Sequence, residues 1–371
     1  MIIQQVIDFL EELAPIHYAE DFDNVGLLVG NKNTEVSSIL VSHDTLEEVV
    51  DEAIEKKCNL IVSFHPIIFG GLKKINGNTY VERVVIKAIQ NNIAIFAMHT
   101  ALDNAWNGVN AIMCKKLGLI NQKILIPKKE TIKKLVTFVP KAEASNLRQA
   151  LFDVGAGNIG NYDHCSFNLE GTGSFKPNED SNPTIGKKGE THFETETQIG
   201  ITFHAHLESQ VLKVLIENHP YEEVAYEVTT LENTNQKIGM GMIAELPQDM
   251  DELAFLKFVK TKMNCGVIKH SKLLGKKIKK VAVLGGSGSF AITAAKRAKA
   301  DIFLTADLKY HDFYQAENQI IIADIGHYES ERYTKNELVD FLTKKITNFA
   351  PAFEKGNLKI SEVNTNPIKY L

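Results

Sequence analysis

The sequence predicts an α/β protein: two related α/β lobes, with a ferredoxin-like α+β domain inserted between them. Three observations carry this. Near both ends of the chain, short apolar runs alternate with amphipathic helical stretches, the pattern of a mainly parallel sheet covered by helices. From about 131 to 232 the rhythm changes to strand, helix, strand, strand, helix, strand, the split β-α-β order of a ferredoxin-like domain. The last third then reads as a diverged copy of the first, with DIFLTADLKYH placed where NLIVSFHP stood and GHYESE where HTALD stood. The expected domains are 1–127, 128–240 and 241–371.

Taken in order, residues 2–13 carry apolar positions at helical spacing and stop near Pro15. DFDNVGLLVG at 21–30 is a loop entering a short apolar run, with Asp23, Asn24 and Gly26 supplying turn chemistry. Strands are expected over 37–44, 59–66 and 93–100, and helices over 46–57, 79–90 and around 106–118. Ligands of such sheets gather beyond the carboxyl ends of the strands, where His43, Asp44, His65 and His99 fall. The inserted segment has five histidines, His164, His192, His204, His206 and His219, of which His204 and His206 alternate on a strand and face the same side; they read as sheet-face or surface residues. A helix near 249–263 leads back to α/β text: a strand into a glycine-rich loop over 277–290, a helix, strands over 301–311 and 319–332, and a last helix.

The candidate site comes from spacing. HTALDNA at 99–105 and GHYESER at 326–332 each follow an apolar run and each place a histidine four residues before an acid. On a helical turn, His99 with Asp103 and His327 with Glu331 share one face. A third run delivers His65 to what should be the same sheet edge. Imidazole with carboxylate suits zinc, iron or manganese, one or two ions per chain, rather than calcium or magnesium. The loop VLGGSGSF opens a helix, so its N–H groups could cradle a phosphate, with Ser287 and Ser289 as substrate contacts; a tight strand-to-helix turn explains it equally well.

Composition limits the partners. A net charge of −5 with lysines scattered among acids gives no footprint for nucleic acid. No window approaches a membrane span, and the N-terminal pattern lacks the basic, then apolar, order of a secretory signal. The four cysteines are far apart with no CxxC pair. A reducing cytoplasm is the expected setting.

With SFHPIIFGG, HTALDNA, ADLKYH and GHYESER in this order, and DFDNVGLLVG at the opening, the chain resembles the NIF-three-like family, also labelled GTP cyclohydrolase I type 2 homologues. HPYEEVAYEV at 219–228 is similar to the PII/CutA-type insert of the longer bacterial members. The resemblance implies two lobes around a dinuclear centre, a ring-shaped homohexamer, and metal ligands at His65, Asp103, His327 and Glu331. One position departs: two adjacent histidines are usual where this chain has Phe64 and His65, which leaves a place for His99, His311 or water. His99 and His311 are the expected proton-transfer groups, His311 as a pocket-lining acid/base or phosphate contact. The expected activity is metal-dependent hydrolysis of a nucleotide-like or phosphorylated small molecule. The alternative is a metal-binding or metal-delivery protein with a regulatory insert.

Overall fold

The computed structural model describes residues 1–350, 353 and 355–371. They divide into two compact units, residues 1–127 with 236–371, and residues 128–235.

The chain opens with α1 (Ile3–Leu13), whose Ile3, Val6, Ile7 and Leu10 form one buried face. It continues through β1 (Gly26–Val29), β2 (Ile39–Ser42), α2 (Glu47–Glu55), β3 (Leu60–Ser63), α3 (Tyr80–Gln90), β4 (Ala94–Ala97), α4 (His99–Asp103), α5 (Val109–Lys116) and β5 (Ile120–Pro127). The second unit holds β6 (Ile132–Pro140), α6 (Ala144–Asp153), β7 (Ser166–Phe175), β8 (His192–His204), α7 (Glu208–Asn218) and β9 (Tyr226–Thr230). The first unit resumes with β10 (Gly239–Asp251), α8 (Glu252–Met263), β11 (Lys269–His270), β12 (Lys277–Ser287), α9 (Ile292–Arg297), β13 (Ile302–Ala306), β14 (Ile321–Asp324), α10 (His327–Glu331), α11 (Thr334–Phe349) and β15 (Leu358–Ile360).

Two sheets form the first unit. One runs β1-β4-β3-β2-β15 and the other β11-β14-β13-β12-β10-β5. In each, three successive strands are parallel, β2-β3-β4 and β12-β13-β14, and an antiparallel strand that precedes them in the chain closes the edge beside the third. Every residue of β2, β3, β4, β13 and β14 is buried. Helices on both faces remove the in-out alternation, which is why these strands read as unbroken apolar runs.

Some expected boundaries move. Gly239 and Met240, at the end of the segment assigned to the insert, pair with Pro127 and Ile126 as the start of β10. The strand expected over 301–311 ends at Ala306, because Asp307 takes a left-handed backbone (φ +57°) and the Leu308 N–H donates to Asp324 Oδ2 at 3.1 Å. The chain then winds into a 3-10 helix, Tyr310–Ala316.

The second unit is a four-stranded antiparallel sheet in the order β7-β8-β6-β9, with α6 and α7 burying Leu147, Leu151, Val211 and Leu215 against Leu135, Ile199 and Ile201. Its histidines have structural partners. His219 donates from Nε2 to the Phe138 carbonyl at 2.9 Å and accepts the Tyr221 N–H on Nδ1, and the His204 and His206 rings stack 5.7 Å apart.

Candidate metal centre

The ladder of β2, β3 and β4 continues past the strand ends and delivers three imidazoles side by side. The His65 N–H donates to the His43 carbonyl at 2.9 Å, and the His99 N–H to the Phe64 carbonyl at 2.8 Å. His99 turns the chain from β4 into α4 at φ +26°, a backbone that costs about 1–3 kcal/mol and has to be held from outside. Asp23 holds it, accepting from His99 Nδ1 at 2.8 Å and from the Thr100 N–H at 3.0 Å. On the other sheet, β14 passes through Gly326 into α10, where His327 and Glu331 sit one turn apart with His327 Nε2 3.2 Å from Glu331 Oε2.

Glu331, 3% exposed, is the hub. Its Oε2 lies 3.3 Å from His65 Nε2 and 3.6 Å from His43 Nε2, in addition to the His327 contact. Three histidines have Nδ1 fixed by a carboxylate: His65 by Asp44 at 2.8 Å, His99 by Asp23, and His327 by Asp307 at 2.7 Å. Carboxylate-oriented imidazole with a free Nε2 is the usual second layer of a metal site. His43, Asp44 and His65 present donor atoms within 4.8 Å of one another, and so do His65, His327 and Glu331.

The ionisable groups of the cluster shift one another strongly. Burial drives the Asp103 carboxyl well above its usual range, and the Glu331 charge adds to this. Burial disfavours the Glu331 charge too, but His327 and His65 outweigh it and hold that carboxyl far below the usual range. Burial works against a charged His65 and His327, yet Asp44 with Glu331 raises the first to about 9, and Glu331 with Asp307 raises the second to about 11. His43 goes the other way, down to about 4, through burial and the neighbouring His65. Asp103 Oδ1, Glu331 Oε2 and His43 Nδ1 are buried without a hydrogen-bond partner. A buried polar atom left unpaired costs about 1–3 kcal/mol, which makes these atoms candidates for holding an ion.

A pocket of about 190 Å³ opens beside the hub, lined among others by His99, Asp103, Asn110, Ser287, His327 and Glu331. Of the residues expected at the site, His65, His327 and Glu331 come together, and His99, Asp103 and Ser287 face the same pocket as Glu331. Ser289 starts a 3-10 turn and is not in the lining. His311 is displaced: it is exposed, with its ring against Tyr310 and Tyr314, because the chain leaves the sheet at Asp307.

The first two glycines of the glycine-rich loop serve as a brace. The Gly285 N–H donates to Asn110 Oδ1 at 3.0 Å and the Gly286 N–H to Ser330 Oγ at 2.9 Å, so neither is free for an anion. Asn110 also donates to the Asp103 carbonyl, which ties the loop to α4. Sequence reasoning missed Asp23, Asp307 and Asn110 as site residues and gave His43 and Asp44 no role; the available signal was their position in DFDNVG, in ADLKYH and at a strand end.

A mixed α/β protein with several sheets and a group of imidazoles and carboxylates able to hold a metal ion is the class that fold and site define. The chain belongs to the Duf34/NIF3 (NGG1p interacting factor 3) family, which it matches over residues 1–367. It is 38% identical to the GTP cyclohydrolase 1 type 2 homolog of Bacillus subtilis (strain 168), over 99% of this chain and 98% of that one. It is 34% identical to the protein of the same name from Staphylococcus epidermidis (strain ATCC 12228 / FDA PCI 1200), over the full length of both. Among solved structures, a Bacillus cereus protein related to NIF3 superposes with a TM-score of 0.85 at 36% identity, covering 100% of this chain and 99% of that one. Among the described residues no helix is long and apolar enough to cross a membrane.

Proposed function

We propose that the protein is a divalent-metal-dependent hydrolase acting on a nucleotide-like or phosphorylated small molecule. The observation that carries this is a pair of carboxylates lining one pocket, half-buried Asp103 with its Oδ1 buried and unpaired, and buried Glu331 with its Oε2 among imidazoles. His65, Asp103, His327 and Glu331 would hold the ion or ions, and the mixed N/O donors favour zinc, iron or manganese. When bound, a divalent ion supplies a water acidified toward neutrality and polarises the bond attacked. His99, fixed through Nδ1 by Asp23, keeps Nε2 for proton exchange with a molecule in the pocket. Ser287 orients that molecule, and Asp44 and Asp307 set the tautomers of His65 and His327. The name carried by the relatives points to GTP among nucleotides, while the donor set selects a metal and not a substrate.

The matching strand orders support reading the first unit as two diverged α/β lobes around a dinuclear centre, and the order β7-β8-β6-β9 supports a ferredoxin-like insert of the PII/CutA type. A homohexamer rests on the family resemblance. A cytoplasmic setting suits four cysteines that are all unpaired.

Elemental analysis of protein purified without chelator, followed by hydrolysis assays on nucleotides and phosphoesters with each metal restored, tests the proposal. Bound zinc, iron or manganese with metal-dependent turnover is expected. Metal without turnover of any compound would favour the second reading, a metal-binding or metal-delivery protein. The pocket size speaks for that reading, since 190 Å³ is below the roughly 300–1,000 Å³ of sites that bury drug-sized ligands.

Metal binding should release protons. At pH 7 the ion-free protein carries protons on His65 and His327, and ligation requires both imidazoles neutral. Affinity should therefore rise with pH, with about one or two protons released per ion near pH 7. Calorimetry in two buffers of different ionisation enthalpy reads this number directly; a value of zero would show that these imidazoles are not the ligands.

A further inference from the structure

We propose that His43 is a metal ligand of this centre, reaching in from just past the end of β2 to supply the imidazole that Phe64, just past the end of β3, cannot. The inference rests on the metal-dependent reading and extends its ligand set.

Position comes first. Past the ends of β2 and β3 the Phe64 N–H donates to the Ser42 carbonyl at 3.2 Å, and the His65 N–H donates to the His43 carbonyl at 2.9 Å. Residues 43, 64 and 65 are thus neighbours at one sheet edge. The His43 and Phe64 rings stack, 5.5 Å apart and 18° from parallel, so the imidazole lies directly against the phenyl ring. Phe64 is fully buried in the apolar core under this edge and offers no donor atom.

The state of His43 is the second observation. The side chain is 4% exposed. Its Nδ1 has no partner, and its Nε2 has only the Glu331 Oε2 contact at 3.6 Å, beyond hydrogen-bond range. Glu331 Oε2 lies 3.3 Å from His65 Nε2 and 3.2 Å from His327 Nε2 without a well-formed hydrogen bond to either. An imidazole kept in an apolar layer with neither nitrogen hydrogen-bonded has no packing advantage over another apolar ring, whereas a cation shared with Glu331 and His65 accounts for all three groups. The donor atoms of His43, Asp44 and His65 already lie within 4.8 Å of one another, and the His43 and His65 rings are 4.7 Å apart.

Other candidates for the empty place are committed elsewhere. His99 faces the pocket, where its Nε2 is left for proton exchange, and His311 is on the surface. His43 is the buried imidazole left unassigned.

The test uses the full chain, stripped with chelator and titrated with Zn²⁺ alone and Mn²⁺ alone, with bound metal read by elemental analysis and affinity by calorimetry. Wild type should take up two ions. His43→Ala should lose one of them, that site weakening by more than the ~100-fold at the upper end of second-layer changes. The exchange variant His43→Phe/Phe64→His keeps the same atoms in the layer and should bind two ions again. Circular dichroism melts establish that each variant folds. If His43→Ala binds two ions with wild-type affinity, or a folded exchange variant binds only one, His43 is not a ligand and the centre stands without it. If wild type binds neither metal, the centre itself and this inference fall together.

Discussion

Glu331→Gln should leave the protein unable to retain a divalent ion and should also weaken the metal-free fold. Glu331 is 3% exposed, and its Oε2 is the atom on which His43, His65 and His327 converge. Glutamine keeps the volume and removes the charge. Two imidazoles that the carboxylate keeps protonated then lose their main counter-charge, and breaking one side of such a buried cluster typically costs about 3–5 kcal/mol. The pH dependence is set by the direction of each shift. The Glu331 carboxyl is depressed, so its contribution is present above the ordinary carboxylate range and is lost as pH falls through its lowered folded value. His65 and His327 are raised, so theirs is full below about pH 6.5, their usual imidazole value, and is lost as pH rises through about 9 and about 11. Urea unfolding in chelator should therefore separate variant from wild type most clearly between about pH 5 and 8, with the gap closing in acid and in strong base. A variant with wild-type metal content and wild-type stability at pH 7 would remove Glu331 from the centre.

The parts of this site that were legible in the sequence are those whose geometry is local. His327 and Glu331 meet because residues four apart on a helical turn must, and the apolar runs before them announce strands buried on both faces. The orienting acids were hidden for the opposite reason. Asp23 lies 76 positions from His99, Asp44 lies 21 from His65 and Asp307 lies 20 from His327, and each pairing is set by how strand ends assemble. His43 stands at a strand end in the sequence, but the surroundings that set it apart, the ring stacked against it and a carboxylate from the other sheet, are not local. His311 misled because an apolar run gives no warning of a left-handed residue such as Asp307 within it. The glycines at 285 and 286 suggested an anion cradle for the same local reason; the side chains that occupy their N–H groups, Asn110 and Ser330, come from 175 and 44 positions away.

Gly286→Ala should disable the metal centre without removing any ligand. A Cβ at this position would stand 2.4 Å from Glu331 Oε1, closer than real Cβ atoms approach anything, and the backbone there has φ +69°. The left-handed conformation alone costs a non-glycine residue roughly 1–2 kcal/mol. The contact is expected to cost more in function than in stability, because relieving it moves the buried Glu331 carboxylate, whose other oxygen faces the three imidazoles. Metal affinity should fall by at least the ~10–100-fold seen when a layer behind a ligand is disturbed, with a modest drop in melting temperature. Ser287→Ala separates this from a role of the loop in substrate contact, since Ser287 lines the pocket and is exposed: it should keep full metal content and change only substrate binding. Elemental analysis and thermal melts of the two variants decide the matter. A Gly286→Ala protein that retains its metal would mean that Glu331 is free to move, and that the glycine serves the turn rather than the carboxylate packed against it.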